Sequence, residues 1–467
     1  MTSSTYFCTL FSLLVSVFFS TASTDGITFI ILGQRSIFDE EKTHSLKKSI
    51  LQQAESLEKN VAVLVPPQDF PEVVGHWAPW TLVSRIASLT TSDWYVFVEC
   101  DSAVNASVLF DFLKDFVPGR KIFLGRGLRD ESPTIIHHFY GFDHEADDDF
   151  LFPDFASGFV LSKELLTKLA LALDTSTSKV GSSFAIDAKH ELALMISKLC
   201  KAKLSSFPDR FCIRKNEGCA IFYEETPCAK ETSLTTEDLF IGVKTYSGFH
   251  NVRLPVIKRT WAASDLSIAF FSDIANYVIP TIATGVANTE RGHCAKTLVI
   301  LKHFVNLLDG HDSSQKFSWL LIADDDTLIS IARLLRILSC YDSNEKVIIG
   351  ERYGFGFSSS GTTGYDYPTG GAGMVFSSTA ARTIVSDCEC PSDDSPDDMI
   401  IGMCSRRLGI NIIHNAAFHQ ARPVDYPAPY LKRLSPISFH KFDDIDPYEV
   451  YMEYLFEPSD RRRKTEL

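Results

Sequence analysis

Four segments of the first half of this chain recur in the second half, in the same order. Trp94 to Asp101 (WYVFVECD) matches Trp319 to Asp326 (WLLIADDD) at an offset of 225. Lys121 to Gly125 (KIFLG) matches Lys346 to Gly350 (KVIIG) at the same offset. Ala156 to Ser162 then matches Gly371 to Ser377 at 215, and His190-Glu191-Leu192 falls on Asp397-Asp398-Met399 at 207. One such agreement arises by chance; four in order, with slowly drifting offsets, mark a duplication. The expected organisation is two homologous domains, residues 24–232 and 233–455, flanked by a leader at 1–22 and a tail at 456–467.

Within each half, short apolar runs alternate with helical patterns. Ile27 to Leu32 reads as a buried strand, followed by an amphipathic stretch to about Leu57 and a second strand at Val61 to Val65. In the second half, Leu239 to Val243 and Leu266 to Phe271 read as strands, and Val252 to Trp261 and Cys294 to Leu308 as helices. Strand–helix alternation implies α/β domains with parallel, doubly wound sheets, whose ligands sit beyond the carboxyl ends of the strands. With 467 residues and 45% hydrophobic content, both halves have material for a full core. A net charge of −14, with no basic block before the last residues, argues against nucleic acid and other polyanions as partners.

The ends of the chain read as addresses. Tyr6 to Ser20 is a mostly apolar run, short for a membrane span, and Ser20-Thr21-Ala22 offers a cleavage site, so a cleaved secretory signal is expected rather than an anchor. The last four residues, Lys464 to Leu467 (KTEL), resemble the KDEL-type signal that a receptor retains in the endoplasmic reticulum. A soluble protein of that lumen is expected, with no stable membrane span. Of 11 cysteines, Cys8 leaves with the leader, and an even number remains for an oxidising compartment. The cluster Cys200, Cys212, Cys219 and Cys228 is expected to form local bridges. Asn105-Ala106-Ser107 makes Asn105 a glycosylation acceptor, expected at the surface.

Asp324-Asp325-Asp326 follows the strand that starts at Trp319. Three adjacent carboxylates repel one another unless a divalent cation neutralises them, and oxygen ligands suit Mg²⁺ or Mn²⁺ completed by substrate phosphates. The competing reading is a solvated acidic turn capping the next helix.

Further segments accompany the triplet: Asp238 to Thr245 (DLFIGVKT) with Phe249-His250 and Arg253-Leu254, Thr369 to Gly373 (TGGAG), Ser395 to Gly402 (SPDDMIIG) and Ile437 to His440 (ISFH). Together they resemble the fringe-like β1,3-glycosyltransferase family, over about 220 residues. The resemblance implies tandem GT-A (Rossmann-like) domains, the first degenerate, and an inverting transfer from a UDP-sugar. Asp326 and His440 would hold Mn²⁺ or Mg²⁺, with His419 as rival ligand. Asp324 and Asp325 would face the nucleotide or stand behind the ligands. Lys244, Thr245 and Arg253 would contact uridine or phosphate, and Gly371 would belong to a loop close to the ligand. Asp398 would be the general base, with Asp397, Asp393 and Asp394 as rivals. Within the family the likeness leans, through the duplication, the tail and Phe418 to Pro427, to the branch that moves glucose from UDP-glucose to the 3-hydroxyl of O-linked fucose on folded thrombospondin type 1 repeats.

The first half departs from the pattern. Its triplet is Glu99-Cys100-Asp101, its glycine loop is reduced to Ser157-Gly158, no histidine follows at the matching place, and Glu191 stands where Asp398 would be. It is expected to recognise the acceptor or to buttress the other half. Two alternatives remain at this point: a fringe-like or core-1-like β1,3-transferase with another donor or acceptor, and a non-enzymatic glycan-binding quality-control protein.

Overall fold

A computed structural model describes residues 26–137, 150–175, 183–226, 228, 234–262, 265–310 and 317–458. The expected leader, residues 1–22, and the KTEL tail lie outside these residues. No helix among the described residues is long and apolar enough to cross a membrane.

Two sheets carry the chain. The first contains β1 (Ile27–Leu32), β2 (Val61–Leu64), β3 (Trp94–Glu99), β4 (Phe123–Gly125), β5 (Phe159–Ser162) and β6 (Ser205–Ser206), in the order β6-β4-β5-β3-β1-β2. The second contains β7 (Leu239–Lys244), β8 (Ser267–Ser272), β9 (Thr281–Ala283), β10 (Trp319–Asp324), β11 (Val347–Gly350), β12 (Met374–Ser377) and β13 (Asn411–His414), in the order β13-β11-β12-β10-β7-β8-β9. Strand for strand the orders coincide, with β9 added at one edge. The directions coincide too: β5 and β12 run antiparallel to both neighbours, while the remaining pairs are parallel. The sheets are therefore mixed, not wholly parallel as the alternation suggested. A buried strand reads as a continuous apolar run whichever way it points, so the reversal at Phe159 and Met374 leaves no mark in the sequence.

Central strands are buried along their length, β1 and β7 without exception. Helix α1 (Ile37–Ser56) starts at the cap Ser36, whose hydroxyl accepts from the Asp39 amide. Asn105 serves likewise as the cap of the helix Ala106–Leu113 and is half-buried rather than prominent at the surface. The two halves share one apolar cluster, which runs from Ile30 and Phe97 through Leu239 and Trp319. A small sheet also crosses between them, where Phe184–Ala185 pairs with the hairpin strand Arg352–Phe355.

Among the described residues four disulfides form: Cys212–Cys219, Cys228–Cys340, Cys294–Cys390 and Cys388–Cys404. Only the first is local within the expected Cys200–Cys228 cluster. Cys228 reaches across to the second half, and Cys200, with Cys100, stays reduced and buried. The reason is geometric: Cys200 ends a helical turn packed into the first core, and Cys228 lies on the connection beside Cys340.

Candidate active site

The parallel register of β7 and β10 sets Lys244 directly beside Asp324. Lys244 is 5% exposed, and its ammonium bonds Asp324 at 2.9 Å and Asp397 at 2.6 Å. Burial opposes its charge, but these two carboxylates more than offset it and raise its pKa. Lys244 is thus the internal counter-ion of the site, not the free phosphate-binding cation its position in the motif suggested. Against burial, Lys244 and His440 hold Asp324 down to about 2.

After Asp324 the chain turns. Leu328–Ile329 then pairs antiparallel with Ser438–Phe439, which carries His440 back over the triplet. His440 Nε2 stands 3.0 Å from Asp326 and 3.8 Å from Asp324, and its Nδ1 is held by the Gln420 carbonyl at 3.0 Å. A carboxylate oxygen from each of Asp324 and Asp326 and a ring nitrogen of His440 lie within 4.8 Å of one another. Two carboxylates and an imidazole suit a hard or borderline divalent cation. Asp324 thereby joins the ligand group, whereas the sequence placed it with Asp325. Asp325 points the other way: it takes hydrogen bonds from Thr245 at 2.7 Å and Arg253 at 2.7 Å, and burial pushes it up to about 6. Arg253 lies on the Phe249 ring at 3.8 Å and pairs with Asp325, Asp326 and Asp443. Its charge is engaged by carboxylates rather than left free for a phosphate.

Helix α2 (Cys294–Asp309) and helix α3 (Asp397–Leu408) close the other side. The Cys294–Cys390 bridge and the Cys294 amide on the Ser395 carbonyl bind the start of α2 to the segment entering α3. Asp397 and Asp398 fall in the first turn of α3, after Pro396, and neither is the cap residue. Asp397 accepts from Lys244 and from Thr297 at 2.6 Å. Burial works against its charge, yet Lys244 keeps its carboxyl below the usual range. Asp398 is half-buried, without a cation of its own, and takes backbone hydrogen bonds from Met399 at 2.7 Å and from Gly370. Burial, with the neighbouring Asp397 charge, pushes it up to about 7. Asp393 and Asp394 are exposed on the preceding loop. His419 is fully buried, stacked on Phe439, bonded to the Ser438 carbonyl at 3.0 Å and pushed down to about 3 by burial; it takes no part in the cluster.

The glycine loop runs between Asp398 and His440. A Cβ on Gly371 would lie 2.3 Å from His440 Nδ1. Gly371→Ala is therefore expected to displace His440 and weaken Mn²⁺ affinity about 10–100-fold, read by titrating the metal into the folded protein; unchanged affinity would remove His440 from the ligand group. The crevice in front of these groups measures about 470 Å³. It adds residues that the sequence reading did not single out: Tyr246, His293 and Lys296. Lys296 carried a signal, because it is a lysine on the apolar face of α2, 4% exposed, with its ammonium on the Thr245 carbonyl at 2.7 Å.

The matching place in the first half is built differently. Leu32 stands in register beside Glu99, where the second half has Lys244 beside Asp324. Asp101 is neutralised by Lys42 at 2.8 Å, which also pairs with Asp39. Among the described residues no metal-type group forms at Glu99 and Asp101. Glu191 accepts the Ile186 amide at 2.7 Å, and burial pushes it up to about 8. Elsewhere in that half His137 lies between Asp130 at 2.7 Å and Asp187 at 3.2 Å, with both ring nitrogens taken.

The Fringe-like family model matches residues 79–209 and 234–460. The chain belongs to the Fringe-like family. It is 42% identical to a mouse β1,3-glucosyltransferase over 94% of this chain and 88% of that protein, and 43% identical to the human β1,3-glucosyltransferase over 93% and 86%. Manic fringe of Danio rerio, a β1,3-N-acetylglucosaminyltransferase, is 25% identical over 40% of this chain and 56% of its own length. Likeness to solved structures is weak, as for a glycosyltransferase acting on the major capsid of PBCV-1, with a TM-score of 0.27 at 10% identity over 42% of this chain and 91% of that one. Like these relatives, this Fringe-like protein is a glycosyltransferase of mixed α/β, GT-A type fold, and it binds a sugar donor and an acceptor.

Proposed function

We propose that the second half transfers glucose from UDP-glucose to the 3-hydroxyl of O-linked fucose on thrombospondin type 1 repeats, with inversion, in the lumen of the endoplasmic reticulum. The observation that carries the reading is the convergence of Asp324, Asp326 and His440 in one crevice, beside the glycine loop whose Gly370 amide bonds Asp398 and whose Gly370 Cβ position lies 3.9 Å from Asp324. The two relatives named β1,3-glucosyltransferase, matched along nearly the whole chain, favour glucose over other donors.

Asp324, Asp326 and His440 would hold Mn²⁺ or Mg²⁺, which when bound supplies a Lewis acid for the diphosphate leaving group. Lys244 keeps Asp324 and Asp397 ionised. Thr245 and Arg253 fix Asp325 and so the floor of the crevice, and Lys296 and His293 line it. Asp398, with a pKa near neutrality and no cation of its own, takes the proton from the acceptor hydroxyl. Asn105 is the expected glycan carrier, and the KTEL tail the retention signal.

UDP release measured against a panel of UDP-sugars, with a folded fucosylated thrombospondin repeat as acceptor, tests this. UDP-glucose should be used in strong preference, and only when fucose is present. Preference for UDP-galactose or UDP-N-acetylglucosamine would favour the other-donor alternative, and no turnover with any donor would favour a glycan-binding role. Donor chemistry is assigned to the second half alone, because Asp101 is already paired with Lys42. Asp101→Ala should leave UDP-sugar hydrolysis unchanged. A second UDP bound per chain at micromolar affinity, lost in that variant, would overturn the division.

A further inference from the structure

A cavity of about 820 Å³ lies over the first half's β1 and β3, apart from the transferase crevice. It opens at Leu32, Glu99 and Asp101, the carboxyl ends of those strands, where an α/β sheet places its ligand. Its roof comes from the second half, through Arg333, Glu351, His414, Tyr430 and Arg433. The volume is that of a small-molecule site.

The lining indicates what it takes. Its buried and half-buried cations are committed: Lys42 to Asp39 and Asp101, Lys189 to Asp187, Arg433 to Asp154, and Arg333 to Glu457. Arg352 bonds Gln34 at 3.1 Å and lies on the Trp77 ring. Arg352 and the exposed rim residue Arg336, 3.8 Å from Glu457, have no close carboxylate, and His137, which with Asp130 and His190 forms the metal-type group of this half, has both ring nitrogens on Asp130 and Asp187. Glu99 is different. Among the described residues no donor meets its half-buried carboxylate, and burial raises its pKa against the opposing pull of Arg433 and Lys189. Because Lys189 and Arg433 are paired with Asp187 and Asp154, the wall beside Glu99 offers no net charge to attract a charged ligand. Hydroxyl donors remain, beside the rings of Trp77, Tyr223 and Tyr426. We propose that this inter-half cavity is a second carbohydrate site, which binds a neutral sugar through hydroxyl groups donated to Glu99. The inference does not depend on which sugar the second half transfers.

The test uses the full chain with UDP and Mn²⁺ present to fill the transferase crevice. Glucose, glucuronate and glucosamine serve as probes of one ring size and three charges. Saturation-transfer NMR reports binding, and amide hydrogen exchange locates it. Glucose should bind saturably, slow exchange near residues 99–101, 186–189 and 426–433, and outcompete both charged probes. Glu99→Gln should weaken binding about tenfold, the scale of one lost buried polar contact, with UDP-sugar hydrolysis unchanged. Absence of saturable binding, protection confined to residues 244–245, 324–326 and 370–371, or stronger binding of a charged probe would each overturn the proposal. The exchange experiment on the unaltered chain decides the matter even if Glu99→Gln is unstable.

Discussion

Asp326→Ala is expected to abolish sugar transfer while leaving the protein folded. Asp326 gives one of the two carboxylates that converge with His440, and a divalent site of this kind needs several oxygen ligands. Loss of one leaves Asp324, already neutralised by Lys244, and a histidine without its 3.0 Å partner. Folding should survive because Arg253 keeps Asp325 and Asp443 as partners and the turn after Asp324 is held by backbone bonds. Turnover, Mn²⁺ titration and circular dichroism on the same preparation check the three parts. Chelation should reproduce the variant's loss in the unaltered enzyme. Transfer at the full rate by chelated enzyme would refute the metal assignment.

Asp398→Asn should lower turnover roughly 10²–10⁴-fold, the usual contribution of a general base, with UDP-sugar binding retained. The pH profile gives a sharper form of the same test. A base works deprotonated, and burial together with the Asp397 charge pushes Asp398 up to about 7. Transfer should therefore rise with pH through about 7 and level off above it, and be lost progressively as pH falls below that value. The asparagine variant should lack this limb. Asp397 is expected to behave otherwise. It bonds Lys244 at 2.6 Å with both groups almost fully buried, and removing one partner of such a pair costs about 3–5 kcal/mol. Asp397→Ala should thus show first as a lowered melting temperature. If Asp397→Asn is folded but inactive, while Asp398→Asn still turns over, the base is Asp397.

The strands were legible because their burial on both faces makes uninterrupted apolar runs. The start of the site was legible because Asp324 closes one of them. What stayed hidden depends on which strands are neighbours. Lys244 reads as a cation following a strand, and only the register of β7 against β10 shows it to be a counter-ion of Asp324. His440 could be set against His419 only by a motif. The pairing of Leu328–Ile329 with Ser438–Phe439 aims one ring at the triplet and leaves the other stacked inside the core. The Cys228–Cys340 bridge closes over a sequence separation of 112, beyond any spacing rule. The Asp397–Asp398 pair showed its carboxylates but not their division of labour, which is decided by where Lys244 can reach.

The strand Phe184–Ala185, paired with Arg352–Phe355, has a consequence for biosynthesis. Its partner is made some 170 residues later. When the first half leaves the ribosome it carries an unpaired edge, an incomplete apolar cluster and an unbridged Cys228, all completed by the second half. The nascent chain is accordingly a client for chaperones and thiol oxidants until residue 355 is out. Substitutions along the seam should act first on the yield of folded protein rather than on the rate of the finished enzyme.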